Sequence, residues 1–420
     1  MMVVKQRFPQ SPPIDIRQTI DREMELFTAR VKPGSRIAVA VGSRGISNLQ
    51  TIVGHAIAYL KRAGANPFIV PAMGSHGGAK SEGQIELLAE YGITRETMGV
   101  DFAASMETRV LGTLENGVDV HFSAAALDSD GIFVINRIKP HTDFRGNLGS
   151  GILKMMVVGL GKRNGASGFH RAANRLGFEH VLRNAARVIL ERAPILGALA
   201  LIEDQFHDTS RIQAILPEQL ELEEERLFQE SAQRMARLPC HDVDLLIVDR
   251  MGKNLSGSGM DPNVIGRGVH GYSSLLNDRA KDLPAVRRLF VRTLTPESHG
   301  NATGLGMADF TTKRLVESMN RQITTINVLT AMTVQGVKVP IHFESDREVI
   351  EQAMGTLALL DGEQPRIVRI LDTLNLEALQ MSQAYADEIQ GREDLESLGD
   401  WKEMAFDEFG NLLDLPEISR

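Results

Sequence analysis

Cysteine and tryptophan are nearly missing from this chain, which contains one of each in 420 residues. Because Cys240 is the single cysteine, no disulfide can form within the chain. For the same reason, no iron–sulfur cluster or multi-thiolate zinc site can be built from its own side chains. This sparse use of cysteine fits a reducing compartment, so we expect a cytoplasmic protein.

Long apolar runs and blocks of basic charge are also missing. The longest apolar stretches, such as ILGALALIE, are too short to span a bilayer, and the start of the chain lacks the apolar segment and cleavage site of a signal peptide. Lys and Arg number 46 against 54 Asp and Glu, which gives a net charge of −8. We therefore predict neither a membrane partner nor a nucleic-acid partner.

Short apolar runs alternate with amphipathic segments through the first half of the chain. This alternation is typical of a parallel sheet covered by helices, so we predict the α/β fold class. Strands are predicted at 36–42, 66–74 and 131–137, and the helix after the first strand is predicted to end at Gly64. Each strand leads into a polar or glycine-rich loop, and open α/β sheets bind ligands at the carboxyl ends of their strands.

The pattern of a strand followed by a glycine-rich loop starts again at 242–257. A charged helix at 216–239 precedes it and is interpreted as a solvated connector. We therefore predict an N-terminal α/β domain over 1–237 and a second α/β domain over 238–376. The acidic segment 377–420 is predicted to be helical and then irregular, and to pack back on the first domain.

Three histidines lie in loops that are rich in glycine or polar residues. His76 lies in MGSHGGAK, His141 in IKPHTDFRGN and His170 in NGASGFHRA. A neutral imidazole binds a metal or exchanges a proton near pH 7. Taken singly, each histidine is more typical of a structural or simply exposed position than of a functional one.

The segment VGSRGISN, 41–48, connects a predicted strand to a predicted helix. The backbone amides of Gly42, Ser43 and Gly45, together with the positive end of the helix, can hold an anion. Arg44 can add a bidentate contact to a carboxylate. The segment matches neither the Walker motif nor the GxGxxG fingerprint, so it does not predict a nucleotide site of those kinds.

Lys154 lies among apolar residues between two glycine-rich stretches, in GILKMMVVGLG. A lysine that is removed from solvent becomes a neutral amine more easily, and a neutral amine is a nucleophile for covalent attachment. The alternative is that its long side chain reaches the solvent.

Five of these segments, in this order and at these spacings, resemble the nickel-dependent lactate racemase family. They are SRGIS, GSHGG, KPHTDF, GILKMMVVGLG and GFHR, and they cover residues 36–175. The resemblance implies two α/β domains, of which the N-terminal one binds a cofactor, with the cofactor and substrate in a cleft between them.

The cofactor that the resemblance implies is the nickel-pincer nucleotide, pyridinium-3,5-bisthiocarboxylic acid mononucleotide, attached covalently to Lys154. His170 would be the protein ligand of the nickel ion. Because the cofactor itself provides two sulfurs and a ring carbon, the site needs no cysteine. Enzymes that make the cofactor and insert nickel are the partners that this reading implies.

The reaction that the resemblance implies is racemisation or epimerisation of a small 2-hydroxy acid by reversible hydride transfer. His76 and His141 would exchange the hydroxyl proton on opposite sides of the substrate, because each face needs its own proton partner. Arg44 would neutralise the carboxylate or polarise the keto oxygen.

The chain departs from the lactate enzymes in its second half. Those enzymes present a cluster of tyrosine, glutamine and lysine to the substrate, which the corresponding loop at 253–268 lacks. Lys253, Asn254 and Arg267 are the candidate substrate contacts there, unless the loop only turns the chain. The expected substrate is therefore lactate or a larger, more polar 2-hydroxy acid.

Two other functions remain open from the residues alone. The first is a hydrolase or lyase that holds a divalent metal with His76, His141 and His170. The second is a non-catalytic relative that binds a small acid or the cofactor.

Overall fold

The computed structural model describes these ranges of the chain: 1–42, 45–115, 117–142, 146–268 and 283–416. The chain divides into two compact units. The N-terminal unit is Gln10–Met235, and the C-terminal unit combines Met1–Pro9 with Ala236–Arg420.

Strands and helices alternate through most of both units. The strands of the described ranges are β1 (Met2–Gln6), β2 (Arg36–Val41), β3 (Asn66–Pro71), β4 (Thr108–Thr113), β5 (Asp119–Ser123), β6 (Gly131–Arg137), β7 (Ile195–Glu203), β8 (Thr209–Ile215), β9 (Asp242–Met251), β10 (Ala285–Leu294), β11 (Phe310–Thr312), β12 (Ile341–Phe343), β13 (Ile367–Ile370), β14 (Ala378–Met381) and β15 (Leu395–Ser397). The α-helices of the same ranges are α1 (Ile16–Met24), α2 (Leu49–Arg62), α3 (Ser81–Glu90), α4 (Arg95–Met98), α5 (Ala124–Leu127), α6 (Ile152–Lys154), α7 (Lys162–Leu176), α8 (Phe178–Arg192), α9 (Leu220–Gln233), α10 (Pro262–Ile265), α11 (Lys313–Ser318), α12 (Arg321–Thr330), α13 (Asp346–Gly355) and α14 (Ala386–Gln390).

The N-terminal unit is built on a five-stranded sheet with the order β3-β2-β6-β7-β8. Its first four strands are parallel and β8 is antiparallel. The apolar runs of β2, β3 and β6 are buried almost throughout, as expected for parallel strands covered on both faces. These strands lie at the three predicted positions, and the predicted α/β class is confirmed.

The helix after the first strand, α2, ends two residues before Gly64. Gly64 has a φ of 87°, a left-handed conformation that glycine adopts readily and that reverses the chain into β3. The end of α2 predicted from the glycine is therefore found in the structure.

The C-terminal unit is built on an eight-stranded sheet with the order β12-β11-β10-β9-β13-β14-β1-β15. The five strands from β12 to β13 are parallel, and the three that follow are antiparallel. The start of the chain thus contributes a strand, β1, to this sheet.

The segment 377–420 was predicted to pack back on the first domain, but it belongs to the C-terminal unit. Its strand β14 pairs with β13 and β1, and its strand β15 pairs with β1. The reason is the alternation in β14, where Leu379 and Met381 are fully buried in the core of the C-terminal unit. The boundary between the units falls at 235/236, beside the predicted 237/238, but Met1–Pro9 and the C-terminal segment both lie in the C-terminal unit.

The predicted charged helix is present as α9, but it is not a solvated connector. Leu220, Leu227 and Phe228 are buried along one face of it, and the helix packs against α6 and β7. Glu224 lies on the same buried face and is fully inaccessible to solvent.

Glu224 is a buried acid without an ion-pair partner among the described residues. Its Oε2 accepts the backbone N–H of Leu153 at 2.8 Å, while its Oε1 has no hydrogen-bond partner in the described ranges. Burial raises the pKa of Glu224 to about 8, because a charged carboxylate is costly in an apolar surrounding. The protonated form is therefore favoured at neutral pH.

Buried charges in the C-terminal unit are paired instead. Asp346 accepts hydrogen bonds from Arg292 Nε at 2.8 Å, from Arg314 and from the amide of Leu412 at 2.9 Å. Arg292 also pairs with Asp249 at 2.9 Å. This network joins the start of α13 and the segment after β15 to the sheet.

We expect Asp346→Ala to lower the free energy of unfolding by about 3–5 kcal/mol, because it leaves Arg292 buried without one of its partners. Urea denaturation measures the effect. Glu344→Ala is the control, since Glu344 and Lys313 form a solvent-exposed pair at 2.7 Å, and exposed pairs contribute little to stability. Equal losses in the two variants would contradict the assigned role.

We expect Glu224→Gln to remove a pH dependence of stability. The pKa of Glu224 rises from 4.5 when exposed to about 8 in the fold, so the folded protein binds more protons between these values. The stability contributed by this group is complete below pH 4.5 and is lost as pH rises through about 8.

The free energy of unfolding of the unmodified protein should therefore fall relative to that of Glu224→Gln over this window. The limiting slope is about 1.4 kcal/mol per pH unit. Denaturation at several pH values measures it, with Glu86→Gln on the exposed side of α3 as the control. Parallel pH profiles for the unmodified protein and Glu224→Gln would refute the raised pKa.

Candidate active site

The candidate site lies at the carboxyl ends of β2, β3 and β6 in the N-terminal unit. These parallel neighbours end at Val41, Pro71 and Arg137, and the loops that follow them carry Gly42, His76 and His141. The arrangement follows from the parallel order of the strands, because their carboxyl ends meet at one edge of the sheet.

Lys154 lies in a tight turn that packs on this edge. It ends α6 and is followed by a five-residue π-helix, Met155–Gly159, an uncommon form that is often found at functional sites. The amide of Gly74 donates to Gly159 O at 3.0 Å, and the side chain of Asn136 donates to Gly151 O at 2.8 Å. The turn is therefore bound to the segments that follow β3 and to β6 itself.

Gly159 makes this close packing possible. A Cβ atom at position 159 would lie 2.6 Å from the carbonyl oxygen of Ala72, which is shorter than side chains tolerate. The glycine at position 159 therefore makes room for the backbone after β3.

The structure brings Lys154 and His141 into direct contact. The Nζ of Lys154 lies 2.6 Å from Nε2 of His141, and 3.4 Å from the hydroxyl of Ser150. The imidazole is buried, with 7% of its surface exposed, whereas the lysine is half-buried. A protonated amine and a protonated imidazole both lack an acceptor, so this hydrogen bond requires at least one of the two groups to be unprotonated.

A row of aromatic rings connects His141 to His170. The ring of His141 lies 5.0 Å from that of Phe178, and Phe178 lies 5.5 Å from Phe169 at nearly a right angle. Phe169 is 5.7 Å from the ring of His170, which is half-buried on α7. The two phenylalanines thus supply an apolar surface between the two imidazoles.

His76 lies in a loop that packs on the start of α3. The amide of His76 donates to Met73 O at 3.1 Å, and its carbonyl accepts from the side chain of Gln84 at 3.4 Å. Gly77 has a φ of 63°, and a Cβ atom there would lie 2.6 Å from the nitrogen of Gln84. Glycine is therefore needed for the loop to reach α3 while His76 remains half-buried.

The loop after β2 is described only in part. Ser43 and Arg44 lie outside the described residues, while Gly42 is buried and Gly45 is exposed. The amide of Ser47 donates to a carboxylate oxygen of Glu203 at 2.8 Å, and Glu203 pairs with Arg137. One of the amides in the predicted anion-binding segment is therefore already bound to an acid of the protein.

The three side chains predicted to contact substrate in the second domain bind other groups of that domain. Lys253 Nζ donates to Gly257 O at 2.5 Å, and Asn254 accepts from the hydroxyl of Thr295 at 2.7 Å. Arg267 donates to Met307 O at 3.0 Å and pairs with Asp309 at 2.6 Å. These contacts agree with the alternative in which the loop only turns the chain. A substrate role for the three residues stays a prediction.

Two features of the N-terminal unit were not predicted from the sequence. Glu224 binds the amide of Leu153, next to Lys154, and Lys162 is fully buried under β3. A signal for Glu224 was its position on the apolar face of α9, in line with Leu220 and Leu227. A signal for Lys162 was a single charge at the end of the run MMVVGLGK.

Among the residues that the structure describes, no group of three or more His, Cys, Asp or Glu side chains is placed to hold a metal ion. His76, His141 and His170 are all described, and they do not form such a group. None of the described helices has the length and apolar character needed to cross a membrane.

Comparisons with known proteins connect the N-terminal unit to one family. Residues 14–177 match the model described as the lactate racemase N-terminal domain, and this range contains His76, His141, Lys154 and His170. No curated protein matches the chain.

Two solved structures align with most of the chain. A crystal structure of a protein from Thermotoga maritima is 13% identical, covers 88% of this chain and 98% of its own, and has a TM-score of 0.55, which indicates a shared fold. The lactate racemase apoprotein from Thermoanaerobacterium thermosaccharolyticum is also 13% identical, with coverages of 82% and 93% and a TM-score of 0.46. The match of residues 14–177 to this domain confirms the predicted resemblance of the N-terminal unit to the lactate racemase family.

Proposed function

We propose that this protein racemises or epimerises a small 2-hydroxy acid with a nickel-pincer nucleotide bound in its N-terminal unit. The observation that carries the proposal is the contact of 2.6 Å between Lys154 and His141, inside the matched domain and at the carboxyl edge of its sheet. A buried imidazole against a half-buried amine is an arrangement suited to covalent attachment and to proton transfer.

Lys154 would hold the cofactor through its amine, and His170 would bind the nickel ion. The residues fit these roles chemically: Lys154 offers a primary amine, the nucleophile that covalent attachment needs, in a half-buried position. An imidazole such as that of His170 is a suitable nitrogen ligand for nickel. When bound, the cofactor supplies the hydride acceptor that the reaction needs.

His141 would act as a proton acceptor for the substrate hydroxyl. Its Nε2 is engaged by the amine of Lys154 in this structure. In a thioamide this nitrogen would be uncharged and would keep one N–H, so it would compete less strongly for the imidazole than a charged amine does. His76, on the neighbouring loop, would be the proton partner for the opposite face of the substrate.

The substrate carboxylate would be bound by Arg44, through the bidentate geometry that guanidinium groups favour. Lys253, Asn254 and Arg267 of the C-terminal unit would be further contacts of the substrate. The substrate class is therefore the 2-hydroxy acids, either lactate or a larger and more polar member.

We expect protein that is co-expressed with the cofactor-making and nickel-inserting enzymes to carry a covalent adduct and one equivalent of nickel. Lys154→Ala should lose the adduct, because no other residue is proposed to attach the cofactor, whereas Lys61→Ala on the exposed face of α2 should retain it. Intact-mass spectrometry and metal analysis measure both. Full racemase activity at the unmodified mass would refute the attachment, and activity restored by a divalent metal alone would favour the hydrolase or lyase.

We expect His76→Ala and His141→Ala to keep the adduct and to lower the rate of racemisation by about 10²–10⁴-fold, because each removes one proton partner. His180→Ala on the exposed side of α8 is the control and should react normally. The assay follows interconversion of the two enantiomers of the substrate by chiral chromatography. Normal turnover in either loop variant would exclude a scheme with two bases.

A further inference from the structure

A buried polar bridge connects the loop that carries His76 to the helix that carries His170. Lys162 is fully buried at the start of α7, and its Nζ donates to Pro71 O at 2.6 Å and to the side-chain oxygen of Gln84 at 3.3 Å. Gln84, also fully buried, donates from Nε2 to Gly74 O at 3.0 Å and to His76 O at 3.4 Å.

The backbone conformation of Lys162 indicates that its side chain has a specific role. Lys162 has a φ of 53°, a left-handed conformation that costs free energy for any residue except glycine. Glycine would fill this junction between the π-helix and α7 without that cost. A lysine here turns its amine inward, toward the end of β3.

The charge of Lys162 is also costly where it lies. No carboxylate among the described residues forms an ion pair with it, so backbone and amide oxygens alone stabilise the cation. Burial lowers the pKa of Lys162 to about 8. A strained and desolvated lysine persists only where the surrounding structure compensates for its cost. The partners of Lys162 are Pro71, at the end of β3, and Gln84, which binds the His76 loop.

We propose that Lys162 and Gln84 are positioning residues that hold the His76 loop in register with the helix carrying His170. The inference rests on the proposed function for the role of His76, although the bridge itself is a property of the fold. In the fold, α7 leads from Lys162 to His170, while Gln84 binds the backbone on both sides of the loop turn. The bridge therefore couples the proton-transfer loop to the metal-binding helix.

The test uses the full chain and begins with hydrogen exchange, which needs no cofactor. In Lys162→Met the amides of residues 72–80 should exchange at least about 10-fold faster, because the loop loses its anchor, while the strands of the sheet remain protected. Gln84→Leu should produce the same local change if Lys162→Met does not fold. Arg163→Met, at the exposed next position of α7, is the matched control and should leave the exchange unchanged.

The second measurement is a double-mutant cycle on protein loaded with the cofactor. Lys162→Met should keep the adduct and leave KM unchanged. It should lower kcat by about 10²-fold, which is the effect of a small misplacement of a reacting group. In the His76→Ala background the same substitution should lower kcat no further, because it acts through His76. A purely structural role would lower the rate equally in both backgrounds.

The proposal is overturned if exchange of residues 72–80 is unchanged in both bridge variants, or if the two losses in kcat multiply. Failure of the proposed function has a different signature. In that case the unmodified loaded protein does not racemise 2-hydroxy acids, or His76→Ala reacts normally, while the exchange measurement still decides whether the bridge holds the loop.

Discussion

The site depends on how closely the turn around Lys154 packs against the strand ends of the N-terminal sheet. Gly159 lies against the carbonyl of Ala72, and its own carbonyl accepts from Gly74, so the turn and the His76 loop share one contact. With the turn held there, the amine of Lys154 meets the imidazole of His141. Any side chain at position 159 would push the turn away from β3 and separate these groups.

The two units differ in how some of their buried ionisable side chains are paired. In the C-terminal unit, Asp346, Arg292 and Asp249 neutralise one another and bind the end of the chain to the sheet. In the N-terminal unit, Glu224 and Lys162 are buried without ionic partners among the described residues. Glu224 binds the amide of Leu153, just before Lys154, and Lys162 follows the π-helix after it. Because an ionisable group buried without an ionic partner reduces stability, the position of both groups at one turn indicates that this part of the fold serves function as well as stability.

The three predicted substrate contacts of the C-terminal unit have structural partners within that unit. Lys253, Asn254 and Arg267 each bind groups of their own unit, so their polarity has a sufficient structural cause. In the N-terminal unit, by contrast, Lys154 contacts a second side chain of the candidate site, His141. The reactive chemistry of the proposed racemase therefore rests on the N-terminal unit.

Apolar periodicity and motif spacing are local properties of a sequence. The residues alone therefore predicted the order of strands and helices in the first half of the chain and the resemblance to the lactate racemase family. The contact between Lys154 and His141 was not predicted, since it needs the path of the loop after β6 and the π-helix. The terminal strands were assigned wrongly because a short alternating segment such as β14 can complete any sheet whose edge is open, and only tertiary packing selects the partner. Burial of Lys162 and Glu224 was decided in the same way, because the sequence records the charge of a side chain but not the atoms that surround it.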